Sequence, residues 1–295
     1  MALRESLFAA ACGFSLFALG CTDMDSAPPG PDEGPNCGHT QRHAYVISTL
    51  GFTRVDKDTG TVPGFDLDHK VSGDDDEASC FKKDFVSADG TKGVDNQLAG
   101  LIPDVEKLLG NAVDGLIQGA INNGDLLILF DVDGAKSVQN AGCADVTVKL
   151  GTGKPILGTD GVMEAYQTFD VDPSGEVSHG TLGKIEDGVL TIGPFELAIP
   201  IAIFDVAFTI HVHDALIRAQ VSAEDGVLKE GLVGGGVVPK EILDGVAPGA
   251  GVDKYIPTLT LVLNGSTDLA QDSEGTCTQL SAALKVTLVE AFIRE

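Results

Sequence analysis

Residues 185–192, Ile-Glu-Asp-Gly-Val-Leu-Thr-Ile, are the stretch that decides the predicted fold. Two short apolar runs flank Asp187-Gly188, a dipeptide that favours the tight two-residue turn of a β-hairpin. The sequence Glu-Asp-Gly-Val-Leu occurs at 186–190 and again at 224–228. We attribute this recurrence to shared turn chemistry, since too little around the two copies matches to indicate duplication. Both turns predict antiparallel strands in this half of the chain.

Alternating apolar and polar residues predict further strands on both sides of this hairpin. The predicted strands cover 44–54, 126–132, 146–150, 162–171, 182–185, 189–192, 198–213, 216–223, 255–263 and, at the end of the chain, 280–293. A short helix over 240–246 is predicted to start at Pro239. The predicted fold is therefore mainly β, an antiparallel β-sandwich or curved sheet.

One segment has the period of an α-helix. Apolar residues recur every three or four positions between 98 and 121, which predicts an amphipathic helix. Pro103 is predicted to be its first residue, and Asn122-Asn123-Gly124 ends it, so that the main helix covers 103–123. Charged residues on its outer face, among them Asp104 and Lys107, exclude a membrane span. Its apolar face is predicted to cover the sheet.

The first residues resemble the leader of a bacterial lipoprotein. An apolar run over 7–19 is too short to cross a bilayer and matches the core of a secretory signal. It ends at Ala18-Leu19-Gly20-Cys21, which resembles a lipobox. The resemblance implies that residues 1–20 are a signal peptide and that Cys21 carries acyl chains that anchor the mature chain in the membrane. The alternative is an ordinary signal cut near Gly20, which leaves a free thiol at Cys21.

Beyond Cys21 the chain divides into a tether and a body. Residues 21–38 are rich in proline and acidic residues, which predicts a flexible lipidated tether. Residues 39–295 are long enough for one domain with a substantial core. This body resembles uncharacterised Asp-rich secreted lipoproteins of Gram-negative bacteria, a resemblance that implies no activity. By analogy with well-studied lipoproteins, Thr22 in the second mature position favours the outer membrane of the cell envelope.

The composition disfavours several classes of partner. The chain has 44 acidic and 19 basic residues and a formal net charge of −25. A surface this negative repels nucleic acid and anionic lipid headgroups. Without tryptophan and with only three tyrosines, the chain also has few aromatic rings on which sugars stack.

Four cysteines remain once Cys12 is cleaved off and Cys21 is lipidated. They are Cys37, Cys80, Cys143 and Cys277. An even number in an exported protein predicts two disulfides. The sequence does not choose among the three possible connectivities. No C-x-x-C spacing supports zinc or thiol-redox chemistry.

The acidic segment over 56–96 is the strongest candidate for a functional site. Asp and Gly alternate in a stretch without periodicity, and irregular backbone of this kind supplies the oxygen cages that bind Ca²⁺. The candidate ligands are Asp66, Asp68, Asp89, Asp95 and Asn96. The alternative is a solvated acidic loop, the role predicted for residues 74–77. A second stretch over 268–275, with Asp268 and Asp272, resembles a degraded version of the same loop.

A second candidate is the sequence His211-Val212-His213-Asp214. Two histidines at i and i+2 of a strand point to the same side, as in several metal sites. Apolar residues fill the opposite face, so that a solvent-facing polar row is the favoured interpretation. No G-x-S-x-G, H-E-x-x-H or phosphate-binding loop is present in the sequence.

Three hypotheses for function follow. The leading one is a lipid-anchored envelope protein with a non-enzymatic binding or structural role, stiffened by Ca²⁺. The second is a carrier of apolar or lipid cargo, suggested by the amphipathic helix and the apolar strand over 198–208. The third is a metal-dependent hydrolase that uses His211, His213 and Asp214.

Overall fold

The computed structural model describes residue 37 and residues 42–109, 113–133, 140–203, 206–221, 227–245 and 253–295. The predicted signal peptide, the lipidated Cys21 and all of the tether except Cys37 lie outside these residues. Among the described residues, no helix combines the length and the apolar character needed to cross a membrane.

Strands make up most of the regular structure. The described residues form twelve strands, which are β1 (Arg42–Phe52), β2 (Phe85–Val86), β3 (Lys92–Val94), β4 (Ile128–Asp133), β5 (Ala141–Thr152), β6 (Gln167–Val171), β7 (Ser178–Glu186), β8 (Val189–Ile203), β9 (Val206–Val221), β10 (Val227–Val237), β11 (Leu269–Gln271) and β12 (Cys277–Arg294). Four α-helices lie in the same described part of the chain: α1 (Gln97–Leu109), α2 (Val113–Asn123), α3 (Pro239–Gly245) and α4 (Ile256–Asn264).

Eight of these strands form a closed circuit of antiparallel pairings. The order around the circuit is β1, β4, β5, β7, β8, β9, β10 and β12, and β12 pairs back with β1. β6 lies between β5 and β12, β11 pairs with the start of β12, and β2 and β3 form a separate ribbon. The prediction of a mainly β fold built from antiparallel strands is confirmed.

Alternation along the strands fills the space that the sheet encloses. In β12, the side chains of Ala282, Leu284, Val286 and Leu288 are buried at every second position. Ala215, Ile217 and Ala219 follow the same period in β9. Successive residues of a strand point to opposite faces, so these two rows of alternate residues face the core.

The turn at Asp187-Gly188 joins β7 and β8 as predicted. Both residues have positive φ angles, 51° and 76°, which is the requirement of a type I′ turn. Glu186 and Val189 pair directly on either side. The second predicted turn, Asp225-Gly226, lies outside the described residues, between β9 and β10.

Replacing Gly188 by valine is expected to destabilise the protein by about 1 to 2 kcal/mol, because a β-branched residue with positive φ is strained. The new Cβ would also lie 2.9 Å from Gln220 Nε2. Urea unfolding measures the loss. Gly142→Val is the control, because Gly142 lies in a strand and a Cβ there meets nothing within 4 Å. Equal stability of the Gly188→Val variant and the wild type would contradict the prediction.

The helical region differs from the prediction. Two helices, α1 and α2, occupy the region predicted as one helix over 103–123, and residues 110–112 between them are not described. α1 begins at Gln97, and Pro103 lies inside it. The cause is Asn96, whose Oδ1 accepts a hydrogen bond from the backbone N–H of Ala99 at 3.3 Å and so caps the helix.

Three predicted strands also need correction. The predicted strand over 198–213 is divided between β8 and β9, whose ends Ile203 and Val206 pair with each other. Residues 162–166 precede β6 rather than belong to it. The segment over 255–263 is a short 3₁₀ turn followed by α4. In α4, Leu259 and Leu263 are buried one helical turn apart, and a short apolar run of this kind fits helix and strand equally well.

Two disulfides join distant parts of the chain, Cys37–Cys143 and Cys80–Cys277. The prediction of two disulfides is confirmed, and the pairing is one of the three that the sequence left open. Cys277 is the first residue of β12, so its disulfide ties the acidic segment to the sheet. The segment leaves the sheet at the end of β1 and returns to it through α1.

Candidate metal centre

The acidic segment over 56–96 is mostly irregular, as predicted, and three features hold its backbone in place. The ribbon of β2 and β3 is one of them. The backbone N–H of Asp95 donates to the carbonyl of Phe65 at 2.8 Å, which brings the two ends of the segment together. The Cys80–Cys277 disulfide is the third.

Asp66, Asp68 and Asp95 form the centre of the candidate site. One carboxylate oxygen from each lies within 4.8 Å of the other two. Ca²⁺ binds oxygen at about 2.3 to 2.6 Å, so oxygens on opposite sides of the ion are up to about 5 Å apart. The three carboxylates therefore have the spacing of ligands to one ion of this kind.

Backbone N–H groups hold these carboxylates in place. Asp95 Oδ2 accepts hydrogen bonds from the backbone N–H of Leu67 at 2.6 Å and of Asp68 at 3.3 Å. The N–H of Lys70 donates to Asp66 Oδ1 at 3.1 Å and to Asp68 Oδ1 at 3.0 Å. These bonds orient the carboxylates without neutralising their charge.

Two further carboxyl groups lie beside this group, those of Asp84 and Asp268. Asp84 Oδ2 accepts from the N–H of Ser72 at 2.5 Å. Asp268 accepts from the N–H and the hydroxyl of Ser281, at 2.7 and 2.5 Å. Asp84, Asp95 and Asp268 are only 9, 3 and 3% exposed. Within the part of the chain that the structure describes, none of the five carboxylates forms an ion pair with Lys, Arg or His.

Burial and mutual repulsion change the acidity of the inner carboxyl groups. Burial, with the charges of Asp68, Asp84 and Asp268, raises the pKa of Asp95 to about 8, although the hydrogen bond from Leu67 opposes the shift. Burial raises the pKa of Asp268 to about 6, and the charge of Asp84 adds to it. The pKa of Asp84 is raised for the same reasons, by burial and then by Asp68 and Asp66. A bound cation would remove the cause of the repulsion.

Two more groups beside the carboxylates have the chemistry of calcium ligands. A Cβ added to Gly93 would lie 2.5 Å from the carbonyl oxygen of Lys70 and 3.4 Å from Asp66 Oδ2, so only glycine lets β3 approach here. The hydroxyl of Ser72 is buried and has no hydrogen-bond partner among the residues that the structure describes, and the N–H of the same residue donates to Asp84. Carbonyl and hydroxyl oxygens accompany carboxylates in sites for hard cations.

The other predicted ligands lie elsewhere or have other partners. Asp89 belongs to the turn between β2 and β3, where its Oδ1 accepts from the hydroxyl of Ser87 and from the N–H of Thr91. The fully buried amide of Asn96 donates to Thr53 Oγ1 and to the carbonyl of Pro63, and accepts from the N–H groups of Ala99 and Ala283. Asn96 thus joins the loop, α1 and β12.

The second acidic stretch is divided between two roles. Asp268 belongs to the buried carboxyl cluster described above. Asp272 closes the turn between β11 and β12, where its Oδ1 accepts from the N–H groups of Glu274 and Thr276, both at 2.9 Å. The stretch is therefore not a separate copy of the first loop.

The histidines of the second candidate lie on the outer face of β9. The side chains of His211 and His213 are 35 and 28% exposed, while Val212 between them is buried, as the alternation predicted. Asp214 is exposed, with a positive φ of 50°, next to an irregularity in the pairing with β10.

None of the known protein-family models matches the chain, and comparisons with curated proteins and with solved structures find nothing similar to it.

Proposed function

We propose that this protein is a lipid-anchored envelope protein whose β domain binds Ca²⁺ and has a binding or structural role rather than an enzymatic one. The main observation in favour of a bound cation is that the carboxylates of Asp66, Asp68 and Asp95 converge, with two more buried carboxyl groups beside them. Two carboxylates about 4 Å apart repel each other by about 4 kcal/mol at an effective dielectric constant of 20. A divalent cation converts this repulsion into attraction.

The donor atoms favour Ca²⁺ over other common ions. The carboxylates, the Lys70 carbonyl and the Ser72 hydroxyl offer only oxygen, which suits a hard cation. Ca²⁺ accepts six to eight oxygens in uneven geometry, whereas Mg²⁺ requires a tight octahedron. An irregular loop supplies the first kind of site more readily than the second.

The proposed location depends on the N-terminal resemblance and on the disulfides. Acyl chains at Cys21 would hold the protein at the outer membrane. Two disulfides support an oxidising compartment outside the cytosol. Intact mass of the native product tests the anchor, because an unmodified thiol at Cys21 or a retained leader would contradict it.

Saturating Ca²⁺ is expected to raise the melting temperature of chelator-treated protein by roughly 5 to 10 °C. A ligand present at 100 times its Kd adds about 2.7 kcal/mol to stability, and each kcal/mol shifts the melting temperature of a domain of this size by about 2 to 4 °C. The double variant Asp66→Asn, Asp68→Asn is expected to lose the shift. Thermal unfolding followed by circular dichroism measures it.

The matched control is Asp74→Asn, Asp75→Asn. It removes the same charge from exposed positions of the same segment and is expected to keep the full shift. If Ca²⁺ leaves the melting temperature of the wild type unchanged, the proposal that the protein binds Ca²⁺ is contradicted. Equal losses in both double variants would show that net charge, rather than this site, attracts the ion.

A further inference from the structure

Five ionisable side chains from four parts of the fold meet outside the carboxylate site. His211 and His213 come from β9, Glu196 from β8, Glu241 from α3, and Glu176 from the segment before β7. Ser178 Oγ donates to the carbonyl of Glu196, which holds the start of β7 against β8 beside this cluster. All five side chains keep contact with solvent.

Each histidine presents its Nδ1 to a carboxylate. His211 Nδ1 lies 3.2 Å from Glu241 Oε2, and His213 Nδ1 lies 2.8 Å from Glu196 Oε2. A histidine that binds a metal through one ring nitrogen commonly donates its other N–H to a carboxylate, which fixes the ring. In both rings this arrangement reserves Nε2 for a ligand.

The other side of His211 has a matching oxygen. Its Nε2 lies 3.4 Å from Glu176 Oε2, which is long for a hydrogen bond between charged groups. Two ligands at about 2.1 Å from a tetrahedral ion are about 3.4 Å apart. The separation of these two atoms therefore suits ligands to a common ion.

We propose that His211, His213 and Glu176 form a second metal site, which binds a divalent transition-metal ion such as Zn²⁺ and which Glu196 and Glu241 hold in place. The two imidazole rings have centroids 6.5 Å apart, whereas rings bound to one tetrahedral Zn²⁺ are roughly 5 to 5.5 Å apart. In this structure the ligand atoms of the three residues do not all lie within 4.8 Å of one another, so the proposed site requires a rotation of the partly exposed rings that brings them about 1 Å closer. A fourth position stays open to water.

Ligand chemistry separates this site from the carboxylate site. Imidazole nitrogen binds Zn²⁺, Ni²⁺ and Cu²⁺ much more strongly than Ca²⁺. The all-oxygen site around Asp66 has the opposite preference. The two ions can therefore be titrated independently, and the failure of one site leaves the other intact.

Without metal, the same side chains form histidine–glutamate ion pairs. Partial burial lowers the pKa of His211, but Glu241 and then Glu176 raise it by a larger amount. A metal ion must displace the proton of the charged His211 imidazole, so the site binds metal more weakly in acid. Ion pairs alone are the competing interpretation of the cluster.

The test is a Zn²⁺ titration of the full, chelator-stripped chain against a competing zinc dye, in excess Ca²⁺. We expect one Zn²⁺ per chain, lost in the variant His211→Ala, His213→Ala. Glu241→Gln is expected to weaken binding by about 10- to 100-fold, the usual effect of removing such a supporting carboxylate. Cu²⁺ bound in the wild type is expected to show coupling to two imidazole nitrogens by electron paramagnetic resonance.

Two controls make the result decisive. Asp66→Asn, Asp68→Asn is expected to keep Zn²⁺ binding while it loses Ca²⁺ binding, and the double histidine variant is expected to do the reverse. If Ca²⁺ still stabilises the histidine variant, that variant is folded. If the histidine variant does not fold, Glu176→Gln tests the site instead. Absence of Zn²⁺ binding at micromolar concentrations, or binding unchanged in the histidine variant and in Glu176→Gln, would overturn the proposal in favour of ion pairs.

Discussion

Replacing Cys80 and Cys277 together by serine is expected to lower the free energy of unfolding by about 4 to 5 kcal/mol and to weaken Ca²⁺ binding at least 10-fold. The disulfide joins residues 197 positions apart, and the loss of so long a cross-link restores much conformational freedom to the unfolded chain. The effect on Ca²⁺ has a different cause. Cys80 lies between Asp68 and Asp84, in a segment with little regular structure of its own.

The local contacts around the disulfide show why the site depends on it. The backbone N–H of Cys277 donates to Cys80 Sγ at 2.9 Å, and Gln271 Nε2 donates to the carbonyl of Glu77 at 2.7 Å. These contacts hold the acidic segment against β11 and β12, and the β11–β12 region also carries Asp268. Without the covalent bond, the ion must order the segment itself, and that ordering entropy is subtracted from its affinity.

Cys37→Ser, Cys143→Ser is the matched control. This disulfide joins residues 106 positions apart. The loop-closure entropy of the unfolded chain depends only on the logarithm of loop length, so we expect this variant to lose a similar amount of stability. Cys143 lies near the start of β5, which is level with the end of β12 rather than with its start at Cys277. We therefore expect unchanged Ca²⁺ affinity by calorimetry. An equal loss of affinity in both variants would contradict a local role of the Cys80–Cys277 bond.

Features set by neighbouring residues were predictable from the sequence. The turn at Asp187-Gly188 needs two residues with positive φ, and the dipeptide itself supplies them. α3 begins at Pro239 as predicted. The predicted start of the helix at Pro103 differs from the structure because the sequence contains two possible start signals. Pro103 is tolerated within α1, and Asn96, a less conspicuous signal, forms the cap.

The closure of the sheet depends on pairings between distant residues. β1 pairs with β12 through contacts such as Tyr45 with Glu290, and no local pattern specifies a partner so far along the chain. For the same reason, the apolar run over 198–213 did not reveal that the chain reverses between Ile203 and Val206. Alternation predicts that a strand exists and which face is buried, but it does not predict its neighbours.

As with the strands, the sequence predicted the local part of the candidate site but not the part that distant residues contribute. Asp66, Asp68 and Asp95 lie in one acidic segment, and composition alone pointed to them. Asp268 was assigned to a separate loop, because only the pairing of β11 with β12 and the hydrogen bonds from Ser281 bring it to the cluster. Asp89 and Asn96 have the right chemistry, but their side chains are used by a turn and by a helix cap.

In the absence of divalent cations, the protein is expected to become less stable as pH rises from 5 to 8. The pKa of Asp95 is about 8 in the folded protein and about 3.9 in an unfolded chain. Between these values the folded state binds the extra proton, so stability falls with pH by up to about 1.4 kcal/mol per unit for one such group. Asp268, with a folded pKa of about 6, adds to the fall below pH 6.

Calcium is expected to reverse this dependence, because the ion requires the deprotonated carboxylates and its binding releases their protons. Asp95→Asn is expected to flatten the slope of metal-free stability between pH 5 and 8 and to abolish stabilisation by Ca²⁺. Asp89→Asn is the control: hydrogen bonds from Ser87 and Thr91 lower the pKa of Asp89 to about 2, so that it is charged throughout this range. Urea unfolding at several pH values, with chelator or with Ca²⁺, measures each slope. Metal-free stability that does not fall between pH 5 and 8 would mean that Asp95 is already ionised without a cation, and the carboxyl cluster would then need no ion to balance it.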